Sequence, residues 1–211
     1  MKTGDLIGLL TQDAGPAPRS LASRRIVPAM VIGLLASAVV AMTMIGLVPM
    51  ALFKAPAWWM KFGYAVLVAV GTALLAARLG RPAAPTRAAW GLVAGIVLVI
   101  ATLGVVQLMA APPSDRMAMW MGHSWRTCPV AIPLLALPGL ALVLWAMRGM
   151  APTRPVLAGL AGGLLAGAVG ASGYALSCNE LSMSFVATWY TLGIVLTGVL
   201  GALLGWRLLR W

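Results

Sequence analysis

Six runs of apolar residues, each long enough to cross a bilayer, constrain this chain more than anything else in it. The hydrocarbon core is about 30 Å thick and takes roughly 20 helical residues to cross. Inside it every backbone N–H and C=O must find its partner within the protein, so such runs fold as helices. The runs are Ile26–Phe53, Phe62–Leu79, Ala89–Ala110, Val130–Met147, Val156–Leu176 and Met183–Leu204. The first is long and predicts a tilted helix or one ending near Pro49. The fourth holds Pro133 and Pro138, which predict a kink. Arg24, Arg25 and the triplet Ala36-Ser37-Ala38 imitate a signal peptide. The apolar region far exceeds the roughly 7–15 residues of one, so a retained anchor is expected. The fold class is therefore an all-α membrane protein with six transmembrane helices. Composition agrees: 9% of residues are charged, against roughly 25% in a soluble domain, too few to cover a water-facing surface.

The basic residues orient the helices. Placing the N-terminus in the cytoplasm puts Lys2, Arg19, Arg24, Arg25, Arg78, Arg81, Arg87, Arg148, Arg154, Arg207 and Arg210 on the cytoplasmic side. Only Lys54, Lys61, Arg116 and Arg126 fall on the other. Lys and Arg concentrate in cytoplasmic loops, so both termini are expected there. Periplasmic loops follow near residues 54–61, 111–129 and 177–182. Trp58, Trp59, Trp90, Trp120, Trp125, Trp206 and Trp211 lie near span ends, where indoles anchor a helix at the interface. The net charge of +11 is thus a topology signal, and no direct nucleic-acid contact is expected.

Several functions are disfavoured. Asp5, Asp13, Asp115 and Glu180 are the only acids, and there is one histidine, so carboxylate-pair or triad catalysis has almost nothing to draw on. No enzymatic activity is expected. No ionisable residue sits in the middle of a predicted span, where transporters keep their coupling groups. Gly159, Gly163 and Gly167 recur at four-residue spacing in the fifth span, and Gly201 and Gly205 repeat it in the sixth. Such small faces let helix backbones approach closely in lipid, and they predict packing rather than chemistry.

Two regions remain. In the segment 1–25, Thr3 suits a helix start and Asp5 its positive end. Leu6, Ile7 and Leu10 share one face, with Leu9 at its edge. Glycines and prolines at Gly8, Gly15, Pro16 and Pro18 limit this amphipathic helix to two or three turns, too short for stability alone in water. It either lies on the membrane surface or docks in a partner's apolar groove. A surface helix normally carries basic residues on its polar face; this one carries Asp5 and none between Thr3 and Ala14, which favours docking. The second region is periplasmic. Cys128 precedes the fourth span and Cys178 follows the fifth, on the same side and at comparable depth. They could form a disulfide, stay inert buried thiols, or act as a sensing pair that binds a soft metal such as copper or is oxidised. Met117, Met119, Met121 and His123 lie in the same loop and could add ligands. No cofactor is required.

At Ser124-Trp125-Arg126-x-Cys128-Pro129 and Phe185-Val186-Ala187-x-Trp189-Tyr190-Thr191-Leu192-Gly193 the chain resembles the NrsF family of bacterial membrane anti-sigma factors. Met1-Lys2-Thr3-x-Asp5-Leu6-Ile7, Ala151-Pro152-Thr153-Arg154-Pro155, the Gly/Ala-rich fifth span and the closing Leu208-Leu209-Arg210-Trp211 fit as well. The resemblance covers nearly the whole chain. It implies a cytoplasmic N-terminal segment that captures an extracytoplasmic-function sigma factor of the sigma-F kind. It also implies a periplasm-facing cysteine pair, here Cys128 and Cys178, that governs release under heavy-metal or related stress. Where the family pattern suggests Pro-Glu after the second cysteine, this chain has Asn179-Glu180 and keeps the acid. The expected partners are that sigma factor and membrane lipid. The competing classes are a small-molecule or metal transporter, a thiol–disulfide membrane oxidoreductase, and a structural membrane subunit.

Overall fold

The computed structural model describes residues 3–4, 8, 21–81, 84–150 and 152–210. Six helices long and apolar enough to cross a membrane lie among them, with no strand. In chain order they are α1 (Leu21–Met44), α2 (Pro56–Leu79), α3 (Arg87–Ala110), then a short amphipathic α4 (Pro113–Met121), and α5 (Cys128–Arg148), α6 (Pro155–Tyr174) and α7 (Met183–Leu208). Thr3, Gly4 and Gly8 are helical. The five expected partner anchors, Asp5, Leu6, Ile7, Leu9 and Leu10, lie outside the described residues.

α6 is the axis of the bundle. Every residue from Ala161 to Ala175 is buried, and α1, α2, α5 and α7 all pack on it. A helix surrounded by four others has little room for side chains, and glycine supplies the space. A Cβ on Gly163 would stand 2.9 Å from Gly198 Cα and 3.0 Å from Gly201 Cα on α7. One on Gly159 would stand 2.8 Å from Gly205 Cα, and one on Gly167 3.0 Å from Ile194 Cα. Further along α6, Gly170 meets Ala136 of α5, and Gly173 meets Ser37 and Ala38 of α1. The Ser37 hydroxyl donates to the Gly170 carbonyl at 3.2 Å. α3 is the contrast: it packs on α2 and on the first turns of α7, and most of its surface faces outward.

Several boundaries differ from those expected. α1 starts at Leu21 and stops at Met44 rather than running from Ile26 to Phe53. Gly46 takes φ +94°, a left-handed conformation that favours glycine, and the chain turns out of the helix there. Val48 N–H then donates to Leu176 O at 3.0 Å, pairing this connector with the end of α6. A 3-10 turn follows at Met50–Lys54. The loop expected at 54–61 is mostly helix, because Pro56 at the first helical position starts α2 there. The loop expected at 111–129 contains α4. Pro133 and Pro138 both sit inside the continuous α5.

Most of the described arginines gather at one end. Arg78, Arg81, Arg154 and Thr153 line a common pocket, and Arg24, Arg25 and Arg148 line another. Both described acids, Asp115 and Glu180, lie at the opposite end, with the cysteines.

Candidate functional site

Cys128 is the first residue of α5 and is fully buried; Cys178 follows α6 and is 3% exposed. Both thiols are free, with no disulfide between them. They lie within electrostatic range of each other and of Lys61 and Glu180. Chain distance explains why such a group was only partly legible: it takes one residue from the start of α2, one from the start of α5 and two from beyond the end of α6.

Lys61 is the residue the sequence reading placed wrongly. It was expected in a periplasmic loop, yet it sits in the second turn of α2 with 0% exposure. Its ammonium donates to the carbonyls of Cys178 at 2.5 Å and Glu180 at 2.9 Å. It also lies 5.9 Å from the Tyr190 ring centroid, where a cation is attracted to the ring face. An isolated buried ammonium is costly, and these contacts compensate it. The charge looked like a span boundary. The aromatic run Trp58, Trp59, Phe62 and Tyr64 around it was the available signal that the helix had already begun.

Two tyrosines complete the inner wall. Tyr174 ends α6 and Tyr190 sits on α7; their rings are 5.7 Å apart, and both phenols lie beside Cys178. The Tyr190 hydroxyl is buried with no hydrogen-bond partner. Tyr190 closes a π-helical stretch, Val186–Tyr190. Such wide turns are frequent at functional sites, and this one falls on the Phe-Val-Ala-x-Trp-Tyr segment. Neither the π turn nor the two tyrosines was anticipated.

Glu180 ties the outer loop together. Its Oε1 accepts from His123 N–H at 2.7 Å, Ser124 N–H at 3.2 Å and the Ser124 hydroxyl at 3.2 Å. Gly122 makes this possible: its φ is +57°, and a Cβ there would stand 2.8 Å from both Glu180 Cδ and Phe185 Cδ2. His123 itself projects into solvent, with Nδ1 3.8 Å from Glu180 Oε1.

The sulfur stripe does not form as spaced. Because 117–121 is helical, residues two apart point to different sides; Met117 and Met121 share a face, and Met119 lies elsewhere. The backbone carbonyl of Met119 accepts from the Ser184 hydroxyl at 3.3 Å. Among the described residues no three His, Cys, Asp or Glu side chains converge to hold a metal. The structure thus brings together Cys128, Cys178, Lys61, Glu180, Tyr174 and Tyr190, and leaves His123 at the rim. Chemically this is two soft donors beside one fixed cation, shielded from water.

Lys61→Met should leave the carbonyls of Cys178 and Glu180 without their donor. A buried acceptor left unsatisfied costs about 1–3 kcal/mol. The expected result is faster hydrogen exchange at residues 178–182 in detergent-solubilised protein, with the rest of the bundle unchanged. Wild-type exchange in that loop would refute the anchoring role.

The comparisons with known proteins agree on one family. The family described as negative regulator of sigma F, NrsF, matches residues 10–211. The chain is 38% identical over 217 residues to the probable anti-sigma-F factor NrsF of Azospira oryzae, covering all of both chains. It is 38% identical over 214 residues to the anti-sigma-F factor NrsF of Caulobacter vibrioides, again covering all of both. No solved structure matches. A match that runs through the cysteine site and all six spans, with relatives equal in extent, places the chain in the NrsF family of negative regulators of sigma F.

Proposed function

We propose that this chain is an inner-membrane anti-sigma factor that holds an extracytoplasmic-function sigma factor through its N-terminal segment and releases it when the Cys128/Cys178 site changes state. The observation that carries the reading is the end-to-end match to two anti-sigma-F factors. The bias of charge supports the orientation: most described arginines gather at one end and the cysteine site, with Arg116 and Arg126, lies at the other, as expected if the N-terminus is cytoplasmic.

Leu6, Ile7 and Leu10 act as the apolar anchors, with Leu9 at their edge, and Asp5 pairs with a basic residue of the sigma factor. The stimulus acts about a membrane thickness away, and packed elements connect the two ends. Cys178 follows α6 directly. α6 is pinned to α1 by the Ser37–Gly170 hydrogen bond and by the Gly173–Ser37 contact. α1 in turn continues the N-terminal segment. A shift of the outer end of α6 therefore reaches the tail through one helix pair. Moving the bound fraction from 99% to 1% takes a differential of about 5.5 kcal/mol. Binding of a soft metal ion such as copper by two thiolates, or their oxidation, is large enough on this scale.

The test is co-purification of the chain with extracytoplasmic-function sigma factors of its own genome, before and after copper or an oxidant. Wild type should retain one such sigma factor and lose it on stimulation. Cys128→Ser and Cys178→Ser should each retain or lose it regardless of stimulus. Normal stimulated release in both variants refutes the sensing role; absence of any retained sigma factor in wild type refutes the anti-sigma reading itself.

A further inference from the structure

The arginine-rich end carries a groove that the anti-sigma reading does not use. It lies between α1 and α5, has a volume of about 620 Å³, and is lined at its mouth by Arg24, Arg25 and Arg148. Arg25 reaches across onto Gly149, occupying the space a side chain there would need, so its guanidinium is held over the opening. Below the arginines the lining is apolar: Ile32 on α1, and Leu142 and Trp145 on α5. Ile32 is 53% and Trp145 76% exposed. Leu21–Met44 and Cys128–Arg148 are both membrane spans by length and composition.

Two features of the groove specify its occupant. The first is charge. The three arginines make no ion pair among the described residues, and the described acids, Asp115 and Glu180, sit at the far end of the bundle. Guanidinium groups grouped in this way match a phosphate. The second is depth. Ile32 lies seven positions beyond Arg25 and Leu142 six before Arg148, which at 1.5 Å per residue carries the groove about 10 Å below the arginines and into the acyl-chain region. A water-borne peptide has no reason to enter that far, whereas an acyl chain lies there already. Trp145 then stands at headgroup level, the usual depth for an exposed indole.

We propose that this groove binds one anionic phospholipid, its phosphate held by Arg24, Arg25 and Arg148 and one acyl chain laid along Ile32, Leu142 and Trp145. The site abuts the start of α1, so the lipid sets the position of the helix that leads from the N-terminal segment. Basic pockets between transmembrane helices on the cytoplasmic side are a recognised way of holding such headgroups.

Native mass spectrometry of the full chain in a neutral detergent tests this. Phosphatidylglycerol and phosphatidylcholine with the same acyl chains would be offered separately, with inorganic phosphate as a third arm. Wild type should retain phosphatidylglycerol at least tenfold better than phosphatidylcholine. The triple variant Arg24→Gln, Arg25→Gln, Arg148→Gln should lose at least tenfold of that retention, and the triple Lys variant should keep most of it. Ile32→Trp, which fills the groove without touching charge, should lower phosphatidylglycerol retention about tenfold and serves if the triple Gln variant fails to fold. Equal retention of the two lipids, or full retention in Ile32→Trp, overturns the proposal. So does inorganic phosphate displacing the lipid completely, which would mark an ion site. A tenfold gain in lipid retention on removing residues 1–20 would show that the chain's own N-terminal segment is the occupant, and overturns it as well.

Discussion

Deleting residues 3–14 is expected to lower sigma-factor capture by at least 100-fold while leaving the six-helix bundle folded. The proposed anchors are three aliphatic side chains, Leu6, Ile7 and Leu10. Fully burying an aliphatic side chain contributes about 1.5–3 kcal/mol. Even with the cost of ordering a short helix set against it, losing all three exceeds the roughly 2.8 kcal/mol that corresponds to 100-fold. The described contacts of α1 (Leu21–Met44) to α5 and α6 lie outside the deleted residues, so the bundle is expected to stay folded. Co-purified sigma factor per mole of chain is the readout, with a thermal unfolding scan of each form as the control for folding. Leu10→Asp should reproduce most of the loss, because it places a charge at one of the three proposed apolar anchors. Capture by the deleted chain at wild-type level would transfer the binding role to the arginine-rich loops between helices.

Gly163→Leu is expected to prevent assembly of the bundle altogether. A Cβ at this position meets three backbone atoms of α7: the Thr197 carbonyl, Gly198 Cα at 2.9 Å and Gly201 Cα at 3.0 Å. Backbone cannot rotate aside as a side chain can, so α6 and α7 must separate along their length. Helix association in lipid rests on this packing, since lipid tails are as apolar as the side chains. Overpacking a core typically costs about 1–3 kcal/mol, and Gly163→Ala should fall in that range. The leucine variant adds three further carbons to a space that cannot take one. Gly95→Leu is the control, because a Cβ there meets nothing within 4 Å; it should purify and melt as wild type does. Recovery of monodisperse Gly163→Leu protein with an unchanged melting temperature would show that α6 and α7 can part without consequence.

How much of this could be read from the amino acids follows from how locally each feature is encoded. The spans were legible because lipid imposes one rule on every residue in them: Ala89–Ala110 was expected and Arg87–Ala110 is found. Gly159, Gly163 and Gly167 stood out by spacing, although only the structure gives the atoms they meet. Lys61 reads in sequence as the end of an apolar run, yet two carbonyls more than a hundred residues away make its burial tolerable. α4 was hidden for a different reason: it is short, polar on one side and capped by proline, so its residues resemble a loop. The π turn at Val186–Tyr190 depends on tertiary fit and has no local signature. The cysteines were found by type and topology, but their tyrosine and lysine neighbours required the fold.

The enclosure of α6 bears on how the protein is made. Leu, Ile, Phe and Val favour insertion from the translocon, and α6 is instead dominated by glycine and alanine, with the lowest hydropathy of the six spans. Its hydropathy is only marginally below that of α2 and α7, so what sets it apart is a glycine face that needs a covering helix. Its flanks carry more leucine and a basic last turn: α5 ends in Arg148, and α7 has Arg207 in its last turn. Biogenesis would then depend on timing. α6 would wait at the translocon, held between a helix already inserted and one still being synthesised, and would enter only when α7 arrives to cover its glycine face. A released chain truncated between residues 175 and 183, and so lacking α7, would leave its fifth span uncovered and open to membrane quality-control proteases.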